Sequence, residues 1–180
     1  MIRLFAAVAP PPEIAGPLIQ RQSGLAGALW RPPEALHVTL RFFGEIAETV
    51  ADDLDVELAR AAHGPLTLEF QGVGAFGDGG DLRALWAGVA DSPALRQLAR
   101  RCEMAARRVG LRPDTRGYHP HLTLAYLNGA EPAAVAAWIQ ANNLLRSPPF
   151  RIDAFGLYSS RLGAEGAGYR LERSYPLAGS

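Results

Sequence analysis

His37-Val38-Thr39-Leu40 and, 84 residues later, His121-Leu122-Thr123-Leu124 repeat one tetrapeptide pattern. In a β-strand successive side chains alternate between faces, so His and Thr of each copy share one face and the apolar residues the other. The apolar pair anchors its strand in a core, and the polar pair is presented on the opposite side. Outward from the first copy, residues 2–8 read as a strand. A proline-started helix then runs to about residue 24, with Ile14 and Leu18 on its apolar side. The first motif lies in a strand over 36–43 closed by Gly44. A helix over about 47–63 puts Val50, Leu54, Leu58 and Ala61 inward and stops at Gly64-Pro65, and strands follow at 66–71 and 73–76.

Around the second copy the order begins again. Residues 82–90 form a strand, and Ser92 caps a helix with Pro93 in its first turn. Leu95, Leu98, Cys102 and Val109 of that helix face inward until Gly110. A strand at 120–127, a helix at about 132–142 and a hairpin of 149–158 with 168–176 across a Gly-rich turn complete the plan. Halves at roughly 1–77 and 82–177 thus share the order strand, helix, strand, helix, strand. The expectation is one domain over 1–180 with an α+β fold of two pseudo-symmetric lobes. Each lobe is a mostly antiparallel sheet with helices on its outer face, and the cleft between them receives both His-Thr pairs.

Composition narrows the function. With 180 residues, 48% of them hydrophobic, the chain suits a single compact core. Eighteen basic and eighteen acidic residues cancel, so no global charge draws it along a duplex or to a membrane. All eighteen basic residues are Arg. Chemistry that requires a lysine amine, such as a lysyl-nucleotide intermediate, a Schiff base or a Walker-type phosphate lysine, is therefore excluded. The lone Cys102 excludes an internal disulfide and a multi-cysteine metal site, and its place on a helix's apolar stripe reads as a small buried hydrophobe. The apolar start, Met1 to Ala9, ends in three prolines and reads as a buried strand rather than a signal sequence. No other stretch is long enough for a bilayer. A cytosolic monomer with no membrane contact is expected.

Two histidines facing each other across a cleft suit the opening of a cyclic phosphate. The attacking water and the leaving oxygen lie on opposite sides of phosphorus, so one group takes a proton as the other gives one. Imidazole, with an ordinary pKa of ~6.5, does either near neutrality. The Thr39 and Thr123 hydroxyls are placed for the non-bridging oxygens, where charge develops. A single His-x-Thr is ordinary on a half-buried strand; two copies at equivalent points of a repeated plan are not a packing accident. His119 and His121 have a metal-ligand spacing, but neither motif carries a carboxylate, so His119 reads as a secondary substrate contact or a solvated neighbour, and no metal or other cofactor is expected. By alternation Phe43 shares the His37 face and is a candidate for stacking a base, whereas Phe42 and Tyr126 point away and pack. Gly72-Val73-Gly74-Ala75-Phe76-Gly77 matches a dinucleotide-binding pattern but leads into another strand and not a helix, so it is a decoy.

The chain resembles the 2H phosphoesterase superfamily, and within it the RNA 2′,3′-cyclic phosphodiesterases once described as 2′–5′ RNA ligases. The resemblance runs nearly end to end. It rests on Arg3-Leu4-Phe5, on Trp30 with Leu36 to Gly44, on Leu85 to Val89, on His119 to Ala125, and on Leu162, Gly168-Tyr169 and Tyr175-Pro176-Leu177. It implies a metal-independent enzyme acting on RNA ends that bear a 2′,3′-cyclic phosphate and leaving a 2′-phosphate. It also implies His37 as proton donor to the leaving 3′ oxygen, His121 as proton acceptor from water, and Thr39 and Thr123 as phosphate ligands. Tyr126 departs from the pattern, standing where many members carry Arg, with Arg41 as the expected partial substitute. Activity on 2′–5′ linkages or small cyclic nucleotides, and RNA-end binding without turnover, fit the same motifs.

Overall fold

The structure, a computed structural model, describes residues 1–163 and 166–177. Its strands are β1 (Ile2–Val8), β2 (Ala28–Trp30), β3 (Val38–Ile46), β4 (Leu66–Leu68), β5 (Phe70–Phe76), β6 (Ala84–Val89), β7 (His121–Leu127), β8 (Phe150–Ile152), β9 (Ala154–Gly163) and β10 (Gly166–Pro176). The helices are α1 (Pro12–Ile19), α2 (Glu48–Ala61), α3 (Pro93–Arg108) and α4 (Pro132–Asn142). The α+β fold with two sheet-and-helix lobes and a cleft is present. The Gly-rich turn expected in the last hairpin falls on residues 164–165, outside the described residues.

One eight-stranded sheet runs β10-β9-β1-β3-β7-β6-β5, with β2 beside β7, and β4 pairs with β8 apart from it. All these pairings are antiparallel. The chain halves are not the spatial lobes. β5, from the first half, pairs with β6, and β9, from the second, pairs with β1. Each lobe thus takes two strands from the other half of the chain, β9 and β10 beside β1 and β3, and β2 and β5 with β6 and β7, which ties the lobes together covalently. At its centre the sheet is almost divided, since β3 and β7 share a single paired position, Val38 with Leu122.

The helices form where the sequence demands. Ser92 Oγ accepts from the Leu95 N–H at 3.2 Å, satisfying a donor that the first turn leaves open, and Pro93 follows at the first helical position. Leu95, Leu98, Cys102 and Ala105 recur at helical spacing and are buried. Gly110, at φ +82°, then turns the chain as only glycine does without strain. Leu54 and Leu58 of α2 join α3 in one core with Val38, Leu40, Leu122 and Leu124, so the two motif strands are backed by apolar packing on their inner faces. The Tyr175 hydroxyl donates to Asp55 at 2.6 Å and fastens β10 to α2.

The first helix ends at Ile19, not near residue 24. Gly24 and Gly27 both adopt positive φ, and they redirect the chain into β2 and a short 3₁₀ turn at Pro33–Ala35. At Gly27 a side chain would meet the Asn128 carbonyl at 2.8 Å, so close approach of the loop to the end of β7 requires glycine there. The decoy glycine pattern has the same kind of explanation. A Cβ at Gly74 would strike the Trp86 ring at 2.4 Å, and one at Gly77, where φ is +87°, would strike the Asp81 carbonyl at 1.9 Å. Those glycines serve packing and a turn. Among the described residues no helix is long and apolar enough to cross a membrane.

Candidate active site

The one-residue junction between the lobes positions the motifs. Extending the Val38–Leu122 register by one residue either way sets His37 opposite Thr123 and His121 opposite Thr39. All four line a single cavity of about 530 Å³ together with Arg3, Phe5, Arg31, Phe42, Tyr126 and Tyr169.

The imidazoles are held alike. His121 Nδ1 lies 2.6 Å from the His119 carbonyl, to which it donates in its neutral form, leaving Nε2 without its proton. His37 hydrogen-bonds the backbone of Ala35, also two residues upstream. Aromatic rings wall in His37: Phe5 stacks on it at 4.8 Å and Tyr169 meets it edge-on at 5.2 Å. Burial, and then the nearby Arg31 charge, push the His37 pKa down to about 4, against the pull of the Ala35 hydrogen bond. His121 is also lowered, chiefly by burial. In the empty cleft both imidazoles are therefore neutral at pH 7, and an incoming phosphate anion favours protonation of either.

Simple alternation fails beyond each threonine. Along β3, Ala7 pairs with Thr39, Ala6 with Arg41, Phe5 with Phe42 and Leu4 with Gly44, so the register shifts at Leu40 and again at Phe43. Along β7, Trp86 pairs with Thr123 and Leu85 with Ala125, a shift at Leu124. An extra residue reverses the facing of every side chain after it. Phe43 is accordingly in the core, whereas Phe42 is half-exposed at the cavity wall, the reverse of the expectation. Tyr126 likewise lines the cavity. Leu40 and Leu124 are equivalent in the repeat, as are Phe42 and Tyr126, so the shift is part of the duplication.

Arg41 does not enter this cavity. Its guanidinium bonds Glu103 at 2.5 Å and the Arg112 carbonyl at 2.7 Å, tying β3 to α3 and the segment beyond it. His119 is exposed and lines an adjoining groove with Phe76, Arg83 and Arg100, and its ring meets Trp86 edge-on at 5.2 Å. Among the described residues no three His, Cys, Asp or Glu side chains are gathered as a metal ion's ligand set.

The sequence pattern of the 2′-5′ RNA ligase superfamily matches residues 10–164. The chain belongs to that superfamily. A protein of Archaeoglobus fulgidus named RNA 2′,3′-cyclic phosphodiesterase is 32% identical over 134 residues, covering 73% of this chain and 76% of its own. Escherichia coli LigT, solved in complex with 3′-AMP, superposes with a TM-score of 0.78 at 26% identity over 98% of both chains. A Thermus thermophilus protein, TT0787, shares the fold with a TM-score of 0.85 at 24% identity over 99% of both. In this superfamily member the sequence reading missed Arg31, Tyr169 and Phe5 as cavity residues. The motif spacing carries no signal for them, because Phe5 and Tyr169 lie on β1 and β10 and Arg31 just beyond β2, which only the folded sheet brings alongside.

Proposed function

We propose that the chain hydrolyses 2′,3′-cyclic phosphates at RNA ends, with His121 accepting the proton of the attacking water and His37 donating one to the leaving 3′ oxygen. The observation that carries this reading is the pairing of the two His-x-Thr motifs across the one-residue junction, inside one cavity, in a chain whose relatives are named for that reaction. Water oxygen bonds to phosphorus and the P–O3′ bond breaks. The water proton passes to His121 Nε2, and the His37 proton goes to the 3′ oxygen, leaving a 2′-phosphate and a 3′-hydroxyl. Each transfer contributes about 10²–10⁴-fold. Thr39 and Thr123 donate hydroxyl protons to the non-bridging oxygens, where charge accumulates.

In this reading the substrate loads the acid. His37 is neutral in the empty cleft, and the phosphate anion restores the protonation that burial and Arg31 oppose. The setting is cytosolic, and RNA ends are met singly, since a chain of zero net charge does not coat long nucleic acid.

The leaving group tests the assignment. On a diester with a nitrophenolate leaving group an acid is hardly needed, so His37→Ala recovers much of its lost rate while His121→Ala does not. Rescue of His121→Ala alone reverses the roles. Binding of RNA ends by the wild type without any turnover removes the enzymatic reading.

A further inference from the structure

We propose that Arg31 is the cation that grips the non-bridging oxygens of the cyclic phosphate in this chain. The inference deepens the reading above and rests on it for the identity of the substrate. Arg31 lies just beyond β2, where its N–H donates to the Leu124 carbonyl at 2.9 Å. The Gln22 side-chain amide bonds both the Arg31 and Leu124 carbonyls, at 2.9 and 3.0 Å, so the backbone is pinned to the second motif strand. The guanidinium projects into the cavity that holds both histidines and both threonines. Its carbon sits 5.0 Å from the centre of the Tyr126 ring and 5.4 Å from that of Tyr169, an aromatic clamp that steadies a cation without neutralising it.

Its Nη2 is buried with no hydrogen-bond partner among the described residues. A buried guanidinium N–H left unpaired carries a desolvation cost that an anionic ligand removes, and planar paired donors match phosphate oxygens. The other arginines are placed differently. Arg116 is bound on two sides by Asp114, at 3.0 and 2.9 Å, Arg3 is exposed at the rim, and Arg41 is held outside by Glu103. Arg31 also bears on His37, whose protonation it opposes when the cleft is empty. Once its charge is matched by phosphate, that opposition ends. One residue thereby couples occupation of the site to loading of the acid.

The test pairs Arg31→Gln with Arg31→Lys and uses inorganic phosphate as a probe that needs no turnover. Arg31→Gln is expected to weaken phosphate binding roughly tenfold and to lower kcat/KM on a cyclic-phosphate oligoribonucleotide by about 10²-fold. NMR titration of the ligand-free protein should show the His37 pKa rising in Arg31→Gln, a readout that a merely structural arginine would not move. Arg31→Lys should keep much of the phosphate affinity and leave His37 low. A folded Arg31→Gln that binds phosphate as the wild type does, or leaves the His37 titration unchanged, overturns the assignment. If the wild type binds phosphate through Arg31 yet opens no cyclic phosphate, the functional reading fails and the assignment stands.

Discussion

Acidity is the perturbation that reaches furthest into this site. His37 is pressed between Phe5 and Tyr169 beside the Arg31 charge, and its pKa falls from 6.5 to about 4. That difference corresponds to about 3.4 kcal/mol between the two protonation states, and at pH 7 it leaves about one empty site in a thousand with His37 protonated. His121 is lowered as well. The imidazole acting as base must be neutral, so kcat/KM falls as pH drops through the lower of the pair's two pKa values. The imidazole acting as acid must be charged, so kcat/KM falls as pH rises through the higher. In the ligand-free enzyme both values lie below 6.5, and the kcat/KM bell therefore has its maximum on the acid side of 6.5, with the rate already declining at pH 7. The profile of kcat, which reports the occupied site, has its alkaline limb at higher pH because the bound phosphate anion favours the charged imidazole. The assay is steady-state hydrolysis of a 2′,3′-cyclic phosphate oligonucleotide from pH 4 to 9, alongside NMR titration of the histidines. A kcat/KM maximum above pH 7, or a ligand-free His37 titrating at or above its ordinary value, is incompatible with an acid–base pair lowered by burial.

Other consequences are separately measurable. His37→Ala or His121→Ala should lower turnover at least about a hundredfold with circular dichroism unchanged, and Thr39→Ala or Thr123→Ala should cost less, each removing one neutral donor. Activity should survive exhaustive chelation, because the motifs bring no carboxylate and no three His, Cys, Asp or Glu side chains gather as a ligand set among the described residues; loss restored by one metal ion would instead point to a His37, His119 and His121 site. Arg41→Ala should destabilise the protein by about 1.5–3 kcal/mol in urea melts, since it removes the charged hydrogen bonds to Glu103 and the Arg112 carbonyl that tie β3 to α3, while Glu103 keeps Arg107 and the Asp114 N–H, and should change kcat/KM less than about threefold. Cys102 is buried in α3, which pushes its thiol up to about 12. Iodoacetamide should therefore modify it only in denaturant, with native activity unaffected, as mass spectrometry would show.

Much of this molecule was legible in its sequence for definite physical reasons. The His-x-Thr repeat marks two strands whose inner residues Val38, Leu40, Leu122 and Leu124 must be buried, and α3 announces itself by cap, proline, stripe and terminal glycine. Three features were not legible. Register shifts at Leu40, Phe43 and Leu124 arise from fitting β3 and β7 to their neighbours, and no local propensity encodes them. They reversed the expected facing of Phe42, Phe43 and Tyr126 and left Arg41 outside the cleft. The placement of Arg31 depends on β2, three residues long and too short to show periodicity, lying against a strand some 95 residues away. The exchange of β2 and β5 for β9 and β10 between lobes is similarly a matter of pairing partners, to which a chain-order repeat is blind.

Whether His37 and His121 together open a cyclic phosphate toward the 2′ side is read from ³¹P NMR of the product end. An oligoribonucleotide ending in 2′,3′-cyclic phosphate should be converted by the wild type to a 2′-phosphate with a free 3′-hydroxyl, and by neither histidine variant at a comparable rate. A 3′-phosphate product, or a folded single variant that turns over like the wild type, would contradict two-histidine opening toward the 2′ side.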